Sequence, residues 1–189
     1  MLATTRSLAL KAFALLASAT FACSTTLAMG RSAPPPLPDQ VAALAPEAVA
    51  QGGGELKYFG LSIYDGFYWS AARSFSVSRP FALDLHYHRN LDGERIAGRS
   101  IDEIRKLGIG TPDEHTRWLD AMQRLFPDVR KGDRLTGVNV PGRGARFFHN
   151  GAAIGEIADP GFARAFFGIW LDPRTSRRDF RSKLLNEQP

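Results

Sequence analysis

The chain is poor in cysteine, and that absence excludes several chemistries at once. Its 189 residues include one, Cys23, so no disulfide can form within it and a thiolate metal cluster has no ligands. No apolar run reaches the roughly 20 residues that a membrane-crossing helix needs. There is no G-x-S-x-G for a serine nucleophile. The glycines of "PGRGARFFHNGAAIG" lead into no Lys-Ser/Thr pair, so they read as hairpin turns and not as a phosphate loop. Basic residues interleaved with aromatics are also missing, which argues against nucleic acid as a partner. His86 and His88 share one face of an alternating segment, half of a metal-binding edge, and His149 or Asp84 would have to supply the rest. Polar residues on a half-exposed strand explain that pair without a metal, and neither a metal nor a cofactor is expected.

What is present begins with the N-terminus. Arg6 and Lys11 lead into the apolar residues 12–22, and Thr26-Leu27-Ala28 offers small residues for cleavage after Ala28. This is the layout of a secretory signal peptide over residues 1–28, and it predicts a periplasmic or secreted protein. Lipid anchoring at Cys23 is the competing use of the segment, but Thr20 stands where such a motif has Leu. Losing Arg6 and Lys11 lowers the formal net charge from +5 to +3. That balance suits a soluble protein with weak attraction to anionic surfaces, including peripheral contact with a membrane.

Residues 29–54 carry "APPPLP" at one end and "QGGG" at the other and read as a Pro/Gly-rich flexible linker, with a transient helix over 41–50. Residues 55–187 make one domain of ordinary size with room for a core. Phe81, Leu83, Leu85 and Tyr87 alternate with Ala82, Asp84, His86 and His88, the period of a strand. Asn150-Gly151 is the dipeptide best suited to a tight hairpin, and residues 133–140 form a further strand stopped by Pro141-Gly142. With a pair flanking Gly60, about six strands result. Helices are expected from "SIDE" (100–103) and "TPDE" (111–114), each a capping box, from Asp159-Pro160, and from residues 176–179. The fold class is therefore α+β with a mostly antiparallel sheet. The arginines 174, 177, 178 and 181, with Lys183, read as a solvated helix face.

The stretch "GELKYFGLSIYDGFYWS" (54–70) is the candidate site. Taking Gly60 as the turn, Ser62, Tyr64 and Tyr68 face one way and Ile63, Phe67 and Trp69 the other. One face would then present phenol hydroxyls among apolar rings, with Lys57 at its start. Such a wall, built from Lys57, Tyr58, Tyr64 and Tyr68, could hold the acidic head of an amphipathic ligand while the rings cover its apolar body. Half-buried tyrosines with wet hydroxyls at the edge of a core give the same pattern.

Four blocks, "GELKYFGLSIYDGFYW", "FALDLHYHR", "LFPDVRKGDRLTGVNVPGRGARFFHNG" and "FARAFFGIWLDPRTS", resemble, in order, the bacterial secreted branch of the chalcone isomerase-like family. The resemblance covers residues 54–185. It implies an open-faced β-sandwich, a curved antiparallel sheet covered by helices with a ligand cleft between the layers. In plant chalcone isomerases that cleft closes a chalcone to a flavanone, assisted by an Arg early in the first matching strand and by Thr and Tyr hydroxyls. In related fatty-acid-binding proteins an Arg and a Tyr hold a carboxylate without reaction. Here Lys57 stands where the Arg is expected and Ile63 or Tyr64 where the Thr is, so a non-catalytic binder of a fatty acid or similar amphipathic acid is the expectation. An intramolecular isomerase and an envelope interaction protein without a ligand are the alternatives.

Overall fold

Two dipeptides reverse the chain most tightly, and they frame the sheet. Asn150 (φ 50°) and Gly151 (φ 85°) join β5 (Gly144–His149) to β6 (Ala152–Ile157). Phe59 (φ 48°) and Gly60 (φ 76°) join β1 (Val49–Tyr58) to β2 (Leu61–Ser70). Two consecutive positive φ values give a turn whose twist matches that of the flanking strands. With β3 (Phe81–Tyr87) and β4 (Arg134–Val140), these strands form one six-stranded sheet in sequence order, antiparallel at every step. The computed structural model describes residues 34–187; the expected signal peptide and Cys23 lie outside them.

A single-turn helix, α1 (Asp39–Ala42), precedes the sheet. Helices α2 (Gly93–Leu107) and α3 (Pro112–Leu125) are inserted between β3 and β4, and α4 (Pro160–Leu171) and α5 (Arg178–Leu185) follow β6. The molecule is α+β, an open antiparallel sheet with α2 to α5 laid on one face, as the strand and helix patterns predict. Phe162, Phe166 and Trp170 recur along α4 and form its buried stripe, Phe162 stacked on Phe166 at 5.4 Å and Phe166 edge-on to Trp170 at 5.3 Å. Phe167, on the same helix, meets Phe81 of β3 at 4.8 Å.

Local capping explains some helix starts and not others. At α3 the Thr111 hydroxyl accepts from the Glu114 N–H while the Glu114 carboxylate accepts from the Thr111 N–H, and Pro112 opens the helix. At α4 the Asp159 carboxylate accepts from the N–H groups of Gly161 and Phe162 and also from the Trp118 indole at 2.8 Å. The "SIDE" box does not cap. α2 already begins at Gly93, whose N–H donates to Asp128, and Ser100 sits inside the helix donating to the Ile96 carbonyl. Ser176 does not cap α5 either; its hydroxyl donates to Glu103 at 2.7 Å.

The linker expectation also needs correcting over 49–54, because β1 starts at Val49 and the triple glycine lies within it. Two of its glycines are there for close approach: a Cβ on Gly52 would collide with the carbonyls of Lys183 and Leu184 at the end of α5, and one on Gly53 with the Phe67 ring. Nor is the middle of the sheet's second face solvated, as the alternation in β3 suggested, although His86 on that face stays partly exposed. Leu37, Val41 and Leu44 pack there against Trp69, Ala82, Val138 and Phe148, and Arg134 donates to the Pro36 carbonyl at 3.0 Å. Beneath this strap Asp84 is fully buried. It accepts from Thr136, from His86 and from the Arg134 Nε, each at 2.7 Å.

Candidate functional site

Between the sheet and the helices lies a cavity of about 310 Å³, its wall mostly apolar. Leu85 and Tyr87 of β3, Ile96 of α2, and Phe166 and Trp170 of α4 are among the residues that line it. Its volume falls at the low end of small-molecule pockets, about 300–1,000 Å³.

The pairing of β1 with β2 decides which side chains reach it. Leu56 pairs with Tyr64, and Lys57 pairs with Ser62, so β2 carries one extra residue, Ile63, across that step. A bulge of this kind turns two successive side chains to one side, and Ile63 and Tyr64 both line the cavity. Leu56 and Tyr58 line it from β1. Lys57, between them, faces the other way, and its ammonium pairs with Glu55 at 3.1 Å. The expectation that Lys57 heads the tyrosine wall is therefore corrected by strand alternation itself. Tyr68 leaves the site too: it is fully buried, packed on Phe81 and Phe75 at 5.5 and 6.4 Å, further along the same face. Tyr58 and Tyr64 are the two expected residues that the fold brings to the cavity.

Two phenols are distinctive. Tyr64 Oη accepts a hydrogen bond from the Trp170 indole at 2.8 Å. Because that indole can only donate, the Tyr64 proton stays available to a further acceptor. Burial pushes the Tyr64 hydroxyl up to about 12, against the Trp170 bond and the charge of Arg177, so it remains a neutral donor. Tyr87, cross-strand from Tyr64 with ring centres 5.6 Å apart, is raised further by burial and then by its proximity to Tyr64. Among the described residues its hydroxyl makes no hydrogen bond, although it lines the cavity. Sequence reasoning missed Tyr87 as a site residue. The signal was its place in the β3 alternation, on the face whose other members are Leu85, Leu83 and Phe81.

The cations come from elsewhere in the chain. Arg95, Arg99 and Glu103 form a stripe along α2 at the cavity wall, and Arg177 arrives from the segment before α5. The guanidiniums of Arg99 and Arg177 each lie 5.3 Å from the centre of the Tyr58 ring, within reach of its π face. Arg99 is bound to Glu103 at 2.6 Å, and Glu103 also takes Lys106 at 3.0 Å and Ser176 at 2.7 Å. Burial would raise the Glu103 carboxyl, but the Ser176 hydroxyl, Lys106 and Arg99 outweigh it and hold the group below its ordinary range. Arg177 forms no ion pair among the described residues. An excess positive charge therefore stands at one end of an apolar cavity that carries two neutral phenol donors.

The histidines do not converge. His86 pairs with Asp84 at 2.7 Å, His88 with Asp65 at 3.1 Å and His149 with Asp133 at 3.2 Å, and among the described residues no group of three His, Cys, Asp or Glu side chains could hold a metal ion.

Comparison with known proteins agrees with this fold. Residues 69–186 match the family described as chalcone isomerase-like. A Haemophilus influenzae relative described as an uncharacterized protein is 33% identical over 109 residues, 58% of this chain and 53% of that protein, so the match spans about half of the relative's length. The crystal structure of an Arabidopsis thaliana fatty-acid binding protein has a similar fold, with a TM-score of 0.59 at 10% identity over 75% of this chain and 88% of that one.

Proposed function

The chain belongs to the chalcone isomerase-like family, and from that premise we propose that it binds a fatty acid or a similar amphipathic acid without transforming it. The observation that carries the reading is the pairing of an apolar cavity with Arg177, which lacks an acid partner among the described residues, and the donor hydroxyls of Tyr64 and Tyr87. A carboxylate is an acceptor only, and it is satisfied by a cation together with neutral O–H donors. The acyl body gains about 0.8 kcal/mol for each methylene it buries. The fold similarity to a fatty-acid binding protein is consistent with this. Residues 1–28 have the pattern of a cleaved signal, and we place the binder in the cell envelope on that pattern; the N-terminal residue of protein recovered from cells tests it.

Calorimetric titration with a saturated fatty acid and with its methyl ester tests the binding reading. The acid should bind, and the ester should bind more weakly, because it keeps the apolar body and loses the charge. Lengthening the acid should tighten binding about fourfold per methylene until the cavity is filled. No binding of the acid, or equal binding of acid and ester, would refute the reading.

A further inference from the structure

The hairpin tip beside the cavity contains a residue that neither the turn nor the core explains. Phe59 is 88% exposed, and Tyr58 and Leu61 beside it are 39% and 52% exposed. These are three of the five large exposed hydrophobics among the described residues, gathered within four positions. Phe59 also holds φ at 48°, a left-handed conformation that costs a residue bearing a Cβ roughly 1 kcal/mol. The protein's other two-residue hairpin has the same signs of φ and fills the equivalent position with Asn150, the residue that tolerates it best after glycine. A bulky aromatic has thus been put into a strained turn with its ring in the open. Its one ring neighbour is Tyr58, at 4.5 Å, and Tyr58 lines the cavity between Arg99 and Arg177.

We propose that the β1–β2 hairpin tip, with Phe59 and Leu61 leading and Arg177 behind them, inserts into the surface of an anionic lipid bilayer and sets the cavity against its source of ligand. The partner follows from the chemistry. Aromatic rings settle at the boundary between headgroups and acyl chains, and an adjacent arginine without an acid partner is drawn to anionic headgroups. Arg95, with its side chain 83% exposed, and Lys57, 58% exposed, flank the tip. Their acid partners, Asp92 and Glu55, leave Arg177 as the charge in excess. The surface thereby extends the cavity wall outward through Tyr58. The inference rests on the binding reading for its purpose but not for its measurement.

Two variants of the full chain test it. Phe59→Trp places an exposed indole at the tip, while Trp69, Trp118 and Trp170 are half-buried or buried. With vesicles of phosphatidylglycerol and phosphatidylcholine whose acyl chains carry bromine, its emission should shift to the blue and be quenched beyond the wild-type level. Phe59→Asn should lower partitioning onto the same vesicles about tenfold, the loss for withdrawing one ring from an apolar phase, and should raise the melting temperature by relieving the turn. Added quenching that fails to appear on bound vesicles would overturn the proposal, since attachment would then lie elsewhere in the chain. So would unchanged partitioning of Phe59→Asn, or a tip that drives association of two chains instead. Titration of both proteins with the fatty acid in vesicle-free buffer separates the two readings. Acid binding without tip insertion overturns the membrane role alone, and tip insertion without acid binding overturns the cavity reading alone.

Discussion

Tyr64 and Tyr87 are chemically alike and structurally different, and a single oxygen atom removed from each should show it. Tyr64→Phe leaves the buried Trp170 indole without its acceptor, a loss of about 1–3 kcal/mol of stability. Tyr87→Phe removes no hydrogen bond within the described residues, so its melting temperature should stay at the wild-type value. Both variants should weaken binding of the fatty acid. A Tyr87→Phe protein that melts early, or that binds normally, would show that this hydroxyl serves the core and not the ligand. Beside Tyr58, Arg177→Ala should reduce affinity for the acid about tenfold or more, as loss of a hydrogen bond to a charged group does. Lys57→Ala should leave it unchanged, because that ammonium is on the far side of β1 with Glu55; equal losses in the same titration would return the head-group role to Lys57.

At the scale of elements, sequence signals were readable where the physics is local. The Asn150-Gly151 turn, the Thr111 capping box and the Phe162, Phe166, Trp170 stripe each depend on neighbours within a few positions. The site was half legible for the same reason: alternation finds Tyr58 and Tyr64, but the Ile63 bulge and the meeting of Arg99 with Arg177, far apart in the chain, follow from pairing and packing. Ser100 and Ser176 carry the composition of caps and serve other bonds, one to the Ile96 carbonyl and one to Glu103. The triple glycine misleads most, since flexibility and close packing both favour a missing side chain. Gly52→Ala separates them. A linker would gain stability from the substitution, whereas β1 pressed against α5 should lose about 1–3 kcal/mol to overpacking, read as a lower denaturant midpoint.

For the whole molecule, acid is the expected weak point. Burial raises Asp84 and Asp159, but His86 and Arg134 around the first, and the Trp118 indole with two backbone N–H groups at the second, pull both below the ordinary carboxylate range. Glu103 is lowered in the same sense. A depressed native value means that the stabilisation is complete above the unfolded value, near pH 4, and drains away as pH falls through the native one. Circular dichroism against pH should therefore show a plateau from about pH 7 to about pH 5 and unfolding below about pH 4. A melting temperature that held constant down to about pH 3 would contradict the assignment.

The seam between Gly52 and the carbonyls of Lys183 and Leu184 has a consequence for the order of events in making this protein. The strand that leaves the ribosome early finds its packing partner only when the last helix has been synthesised, so the edge of the sheet stays unguarded for most of translation. A nascent chain arrested after Leu171 should be cut readily by protease within β1, and one extended past Leu185 should resist.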